Sequence, residues 1–412
     1  MLAIGVAVVA LAWRPLAANL LELRAHAALA RRDFDTASAL LHDLVSRAPS
    51  GRVTFQLARA LRRKGDLFGA DAALRRAAQA GWDSTQVSTQ RLLAEAQCGD
   101  IVDVERPIER LIGSGPPDQT AEECYEALAQ GYLNALWPEK AAKCLEFWAA
   151  WQPANPLVHY WKGRMHEEAE EWATALEHYR AALELAPWRY DTLQAVARME
   201  QETARLEDAS KHYARCHAQR PDEPASALGL ADCMLKRGAR DQAKPMLLEA
   251  LTLDLSDEAK AAVITNLAEI ALEAGDLDDA RALAAQAVAL DQRSPRCRLV
   301  HAAILARLGE SEGAESERKR GQHLGHRQVA LAEAARRARV NPHDPDVRAE
   351  VGGMMLELGL EQEAARWYEI ALQIDPQHRP SHEALAAYWS RVGDQARAAR
   401  HRRASTPAPA AE

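Results

Sequence analysis

The sequence predicts an all-α fold, an α-solenoid of stacked helix pairs, and three observations carry that prediction. The stretch Pro156 to Pro221 holds two consecutive blocks of one pattern, with Gly163 and Ala197, Ala175 and Ala209, Tyr179 and Tyr213, Ala182 and Cys216, and Pro187 and Pro221 all paired at an interval of 34 residues. Small residues at the eighth and twentieth positions, Gly163 and Ala175 in the first block, let two antiparallel helices approach closely, while Tyr179 and Ala182 fill the space between them and Pro187 stops the second helix. A composition of 48% hydrophobic and 27% charged residues is that of a folded chain, and the modest aromatic content suits Ala/Leu-rich helix packing. One helix pair cannot bury its apolar face alone, so the blocks must stack, each against its neighbours.

This spacing resembles the tetratricopeptide repeat (TPR) family, and the resemblance covers about Ala18 to Ala404. It implies a right-handed superhelix of about ten or eleven helix-pair repeats with a concave inner face. Extended arrays behind an apolar N-terminus also resemble planctomycete-type TPR proteins of undefined role. The fold hosts many roles, so the resemblance specifies architecture and not biochemistry. A solenoid grows by addition, and the 412 residues therefore report repeat number within one elongated domain.

Taken in order, residues 1–15 form an apolar N-terminal segment, with no charge from Met1 to Trp13. The run is shorter than the roughly 20 residues needed to span a bilayer and is closer to a signal-peptide core, with Ala10-Leu11-Ala12 as a candidate cleavage site, although no basic residue precedes it. A signal peptide, a membrane anchor whose start lies upstream, and an apolar capping helix on the first repeat compete. Export or anchoring is preferred, because a capping helix would show a polar stripe. The protein is accordingly expected to be membrane-anchored or exported to the periplasmic side, and cytoplasmic only if the segment is a cap.

The solenoid is expected over residues 16–404. Repeat one carries Ala25, Ala37, Leu41 and Pro49, with Asp33-Phe34 at its turn, and repeat two carries Ala58, Gly65-Asp66, Ala70, Leu74 and Ala77. A divergent third repeat turns at Gly99-Asp100 and ends at Gly113-Ser114-Gly115-Pro116-Pro117, the strongest breaker in the chain and a candidate flexible joint. Repeat four has Ala129, Tyr132, Ala141, Leu145 and Pro153; the two opening blocks are five and six. Repeats seven and eight are marked by Ala231, Gly238 and Ala243, and by Ala268, Gly275-Asp276 and Ala280. The turn glycines suit the left-handed conformation at the end of each first helix.

The ninth repeat, with Ala302, Gly309 and Ala314, then frays into ESERKRGQHLGHR. Ala314 and Ala364 hold equivalent positions 50 residues apart, a phase break near residues 311–342 read as one extra helix, Val329 to Val340, with its loop. A tenth repeat follows through Gly352, Gly359, Ala364, Tyr368 and Ala371. The last has Ala386, Gly393-Asp394 and Ala398 and an Arg-rich second helix before a disordered tail at residues 405–412.

A net charge of −8 and a pI near 6.0 argue against a nucleic-acid partner. The six cysteines are scattered, with no CxxC or Cys/His cluster, and read as buried small hydrophobes. Lipopolysaccharide-assembly TPR proteins resemble this chain in an N-terminal membrane helix followed by repeats, but they end in a cysteine-paired metal module, and no cysteine follows Cys297 here. His382-Glu383 and His166-Glu167 lack the second His of HExxH, and no phosphate-binding loop or nucleophile elbow occurs. The pairs Glu167/Glu168 and Glu170/Glu171 read as solvated faces. No catalytic residue, metal or cofactor is expected.

What remains is the inner groove, lined in TPR arrays by positions two, five, nine, twelve and thirteen of each first helix. In repeat two these positions give a basic strip, Arg52, Arg59, Arg62 and Arg63, with Phe55. In repeats four to eight they include Glu123, Glu126, Glu167, Glu168, Asp191, Glu202, Asp232, Glu269 and Glu273, offset by Arg164, Arg198 and Lys236. The carboxylate clamp by which some family members hold a peptide C-terminus is absent. The expectation is a non-enzymatic scaffold or adaptor that binds a protein segment in the groove, basic or polar at the acidic centre, with capture of an acidic partner at the basic strip as the competing mode. The alternative is an accessory subunit of an envelope enzyme or assembly complex that positions substrate for a separate catalytic chain.

Overall fold

The computed structural model describes residues 18–406. The expected apolar segment 1–15 lies outside them, as do residues 407–412 of the expected tail, whose first residue, Ser405, closes the last helix. All regular structure among the described residues is helical. Helix α1 covers residues 18–30. It pairs with α2 (Phe34–Arg47), and the pattern continues as α3 (Gly51–Lys64) with α4 (Leu67–Gln79), α5 (Ser84–Gln97) with α6 (Glu105–Gly113), α7 (Asp118–Asn134) with α8 (Pro138–Trp151), and α9 (Pro156–Glu168) with α10 (Trp172–Leu185). Next come α11 (Tyr190–Glu202) with α12 (Leu206–Gln219), α13 (Pro224–Lys236) with α14 (Arg240–Ala250), and α15 (Asp257–Ala274) with α16 (Leu277–Leu290). The last are α17 (Pro295–Arg307) with α18 (Ser311–Val340), α19 (Pro345–Glu357) with α20 (Glu361–Ile374), and α21 (Arg379–Val392) with α22 (Gln395–Ser405).

The register is written in the turns inside each pair. Arg32, Gly65, Gly99, Leu136, Glu170, Ala204, Gly238, Gly275, Gly309, Gly359 and Gly393 all have positive φ and sit at the end of a first helix, most of them 34 residues apart. Seven are glycine, which adopts this conformation without a Cβ clash. The residue that follows often caps the second helix: Asp33, Asp66 and Asp394 each accept a backbone N–H from the first turn, of Thr36, Gly69 and Arg397. Proline at the first or second position opens α8, α13, α17, α19 and α21, where a missing N–H leaves no bond unmade.

The chain divides into two compact units. The first comprises the described residues up to Met165 together with Ala181–Arg189, and the second comprises His166–Arg180 and everything from Tyr190 onward. In the first unit the small positions expected from the sequence, Ala37, Ala58, Ala70 and Ala77, are all fully buried, with Leu41, Leu44 and Leu74 between them. Burial of each such leucine contributes about 1.5–3 kcal/mol. The divergent third repeat has a short second helix, α6, and Ile101, Val104 and Ile108 complete its core with Tyr132 and Trp148. In the second unit Ala197, Ala209 and Tyr213 pack with Cys233, and Ala364 and Tyr368 with Leu385. Five of the six cysteines are buried, and Cys98 is exposed at the end of α5.

The phase break has a different form from the one the sequence suggests. No loop separates the second helix of the ninth repeat from an extra helix: Ser311–Val340 is one continuous helix of 30 residues. Its first part packs on α17 and its last part on α19, where Ala334 and Ala338 bury against Val351. The segment that reads as frayed is held by pairs one helical turn apart, Glu315 with Arg318 and Lys319 and Glu317 with Arg320. Gly321 is not a breaker. A Cβ there would lie 3.0 Å from the Leu299 side chain and 3.2 Å from the Pro295 carbonyl oxygen, so this glycine answers a close approach of α17. No helix among the described residues is long and apolar enough to cross a membrane.

Candidate functional site

In the first unit the inward positions of α3 and α7 form one network. Arg62 is fully buried, donating to Gln90 Oε1 at 2.8 Å, to Gln97 Oε1 at 2.7 Å and to Glu123 Oε2 at 2.7 Å. Arg63 donates to Glu126 Oε2 at 2.7 Å and to Glu122 Oε1 at 3.0 Å, and its guanidinium lies over the Phe34 ring. Arg59 donates through Nε to Glu123 Oε1 at 3.1 Å. Arg32, in the turn between α1 and α2, donates through Nε to Glu122 Oε1 at 3.1 Å, and Asn155 donates to Glu122 Oε2 at 3.0 Å. The basic strip and the acids of the fourth repeat, expected as two charged surfaces, therefore neutralise one another, and of the strip only Arg52 stands apart, exposed and paired with Glu22.

Burial alone would push the Glu123 carboxyl up, but Arg62, Arg59 and Arg63 outweigh it and hold the group at about 2. Glu122 is likewise held below its ordinary range, by Arg32 and Arg63 against its burial. Burial draws the Arg62 guanidinium down and its carboxylate neighbours restore it only in part, although a guanidinium stays protonated throughout. Glu122 and Glu123 are thus ionised at neutral pH.

In the second unit the sequence-selected residues are mostly paired along the first helices. Glu167 accepts from Tyr179 Oη at 2.5 Å and pairs with Arg198 at 2.7 Å. Asp232 accepts from Gln201 at 2.5 Å and pairs with Lys236 at 2.9 Å, which raises the lysine above its ordinary value. Glu269 pairs with Arg296 at 2.6 Å and Glu273 with Arg240 at 2.7 Å. Asp191 accepts the Thr192 backbone N–H at 2.7 Å. Glu168 and Glu202 are exposed, and Arg164, in the first unit, is half-buried on α9. Arg240 and Arg296 offset acids that the sequence left in excess.

Between α15 and α17 the second unit has an open hollow of about 470 Å³. Leu272, Leu299, Val300 and Ala303 line it together with Glu269 and Arg296, and Arg296 also donates to Asn266 Oδ1 at 2.6 Å. Glu269 and Leu272 are inward positions nine and twelve of the eighth repeat, and Arg296, Leu299 and Ala303 are positions two, five and nine of the ninth. The positional rule, carried one repeat further, names this site. Leu299 is 40% exposed, unlike the leucines of the core.

No group of three or more His, Cys, Asp or Glu side chains that could hold a metal occurs among the described residues. A hydrogen-bonded Ser-His-Asp chain does occur, with His378 Nδ1 2.8 Å from Ser381 Oγ and Nε2 2.9 Å from Asp346 Oδ1. Ser381 is fully buried in the first turn of α21, so the chain fastens a helix start and presents no nucleophile to solvent.

The tetratricopeptide repeat family model matches residues 23–85, 126–187, 265–317 and 324–379, more than half of the chain. A curated relative, cellulose synthase operon protein C of Pseudomonas fluorescens (strain SBW25), is 26% identical over 177 residues, which is 41% of this chain and 14% of that protein. The chain thus spans a small part of the length of that relative. Among solved structures, yeast Tom70 aligns over 95% of this chain and 92% of its own at 14% identity and a TM-score of 0.40. Pseudomonas aeruginosa PilF aligns over 62% and 97% at 16% identity and 0.41, and the type IV pilus biogenesis factor PilW over 47% and 88% at 18% and 0.42. The family match carries no planctomycete affinity.

Proposed function

The chain belongs to the tetratricopeptide repeat family, and from that premise we propose that it is a non-enzymatic scaffold or adaptor that binds a protein segment on the first-helix face of its second unit. The observation that carries this reading is the hollow between α15 and α17, built from inward positions of two successive repeats. An exposed apolar floor beside a half-exposed ion pair suits a segment that inserts one apolar side chain and meets Arg296 and Glu269 with polar groups. Exposed Glu202, elsewhere on the same unit, favours basic or polar residues away from the anchor. A preformed site lowers the ordering cost of binding, because only the ligand is immobilised.

A peptide array probed with the full-length protein tests this. Enriched peptides should share an apolar anchor and should bind at least about tenfold more weakly to Ala303→Glu, a change at an exposed position of the floor. Enrichment indifferent to that substitution would rule the site out. The second reading, an accessory subunit that positions substrate for a separate catalytic chain at an envelope, draws on the partial likeness to a protein named for a cellulose synthase operon. It predicts copurification with an enzyme chain in fixed stoichiometry.

A further inference from the structure

The last two helices meet through a pair of histidines. His382, in the first turn of α21, is buried, and its Nδ1 lies 2.9 Å from Nδ1 of the half-buried His401 on α22. Its Nε2 is 3.0 Å from the carbonyl oxygen of Pro376, in the connection from α20. Helix α22 packs on α21, and of its residues only Ala398 is buried, so polar contacts such as this one carry weight in seating it.

The contact dictates its own protonation. A carbonyl only accepts, so Nε2 of His382 carries a hydrogen; in the neutral ring Nδ1 is then bare and accepts from Nδ1–H of His401. One proton can be added, because whichever ring takes it, a single hydrogen still lies between the two Nδ1 atoms. A second proton sets N–H against N–H at 2.9 Å and places two like charges side by side.

The surroundings oppose that second charge. Burial, His382, Arg400 and Arg397, in that order, all draw His401 below its ordinary value. Carboxylates on the adjoining segments are engaged elsewhere: Asp346 of α19 with His378, Asp375 at the end of α20 with the Gln377 backbone N–H, Glu383 of α21 with Arg379, and Asp394 with Arg397. Helix α22 itself carries four arginines and no acid. Arg397 also lies over the Trp389 ring, a contact that pH does not alter.

We infer that the seat of α22 on α21 is an acid-sensitive latch, closed while His382 and His401 share at most one proton and opened when both rings are protonated. Opening frees a segment whose charges are all positive and leaves α21 as the last packed helix of the described array, at a site apart from the hollow between α15 and α17.

The sign follows from linkage. At acid pH the seated helix holds at least one proton fewer than the released one, so seating is complete above about pH 6.5 and weakens as pH falls below it. For one excluded proton on an ordinary histidine, the released fraction rises about tenfold between about pH 7.5 and about pH 5.5.

Amide hydrogen exchange of the full-length protein reads this directly, expressed as protection factors over Gln395–Ser405 so that the intrinsic effect of pH is removed. Protection of α22 should fall about tenfold or more across that interval, while α3, which carries no histidine, keeps its own. His401→Gln, whose amide can donate to or accept from Nδ1 of His382 and does not titrate, should show the same protection at both pH values. Should that variant lack protection already at neutral pH, His382→Gln takes its place, and the wild-type comparison needs neither. Wild-type α22 that is unprotected at neutral pH or equally protected at both, or a fall in the glutamine variant as large as in the wild type, overturns the inference.

Discussion

The guanidinium of Arg62 at the end of α3 donates to the carboxylate of Glu123 on α7 at 2.7 Å, 61 residues on and with one repeat between them, and both side chains are out of solvent. A pair at that separation ties three consecutive first helices together, because α5 supplies Gln90 and Gln97 to the same guanidinium. The first unit is therefore braced by side chains as well as by the stacking of neighbouring repeats.

Arg62→Ala should cost about 3–5 kcal/mol, the usual consequence of breaking a buried pair and leaving its partner charge uncompensated. The pH dependence has a definite sign. Glu123 is depressed from an ordinary 4.5 to about 2 in the folded chain, so its contribution is complete above pH 4.5 and is lost as pH falls towards 2. Thermal unfolding of the wild type should show a loss across that window that Glu123→Gln lacks. A wild-type midpoint flat between pH 5 and pH 2 would contradict the network.

The turn positions permit a test of opposite sign. Ala204 is exposed with φ 60°, so Ala204→Gly should stabilise by about 0.5–1 kcal/mol, the relief of a left-handed alanine less the extra freedom of glycine when unfolded. Gly393 has φ 92° and open space where a Cβ would go, so Gly393→Ala should destabilise by about 1 kcal/mol through backbone strain alone. Denaturant midpoints of the two variants should move in opposite directions.

The sequence makes the register legible because the repeat is local: Gly65, Gly99, Gly238, Gly275, Gly309, Gly359 and Gly393 all fall at predicted turns, and Ala175, Tyr179 and Ala182 are all fully buried as expected. The pairing of Arg62 with Glu123 is not legible in the same way. It depends on how closely first helices two repeats apart approach, which no interval within one repeat encodes. Arg296, Leu299 and Ala303 were within reach of the inward-position rule and needed only its extension to the ninth repeat. The left-handed turns at Leu136, Glu170 and Ala204 carry no glycine and so give no composition signal.

The apolar run Met1 to Trp13, outside the described residues, carries an expectation of its own. Thirteen uncharged residues before the first arginine favour membrane association, and the full-length protein should sediment with membranes while a chain starting at Leu16 should not. Equal recovery of both in the soluble fraction would make the run part of the first repeat.

The long helix α18 separates two roles of glycine on one element. At Gly321 an added Cβ meets the Leu299 side chain at 3.0 Å and the Pro295 carbonyl oxygen at 3.2 Å, and a carbonyl fixed in α17 cannot give way as a rotamer can. Gly321→Ala should therefore destabilise by about 1–3 kcal/mol through overpacking. At Gly325 the nearest atom is the Pro295 Cβ at 3.8 Å, an ordinary contact, so Gly325→Ala should stabilise by up to about 1 kcal/mol through helix propensity. If α18 instead broke near these glycines, as ESERKRGQHLGHR suggests on its own, neither position would be constrained by α17 and both substitutions would act alike. Hydrogen exchange of the amides from Glu317 to Ala330, compared with thermal midpoints of the two variants, distinguishes the cases: continuous protection with shifts of opposite sign is the expected outcome, and unprotected amides around Gly321 with two shifts of the same sign would overturn the single helix.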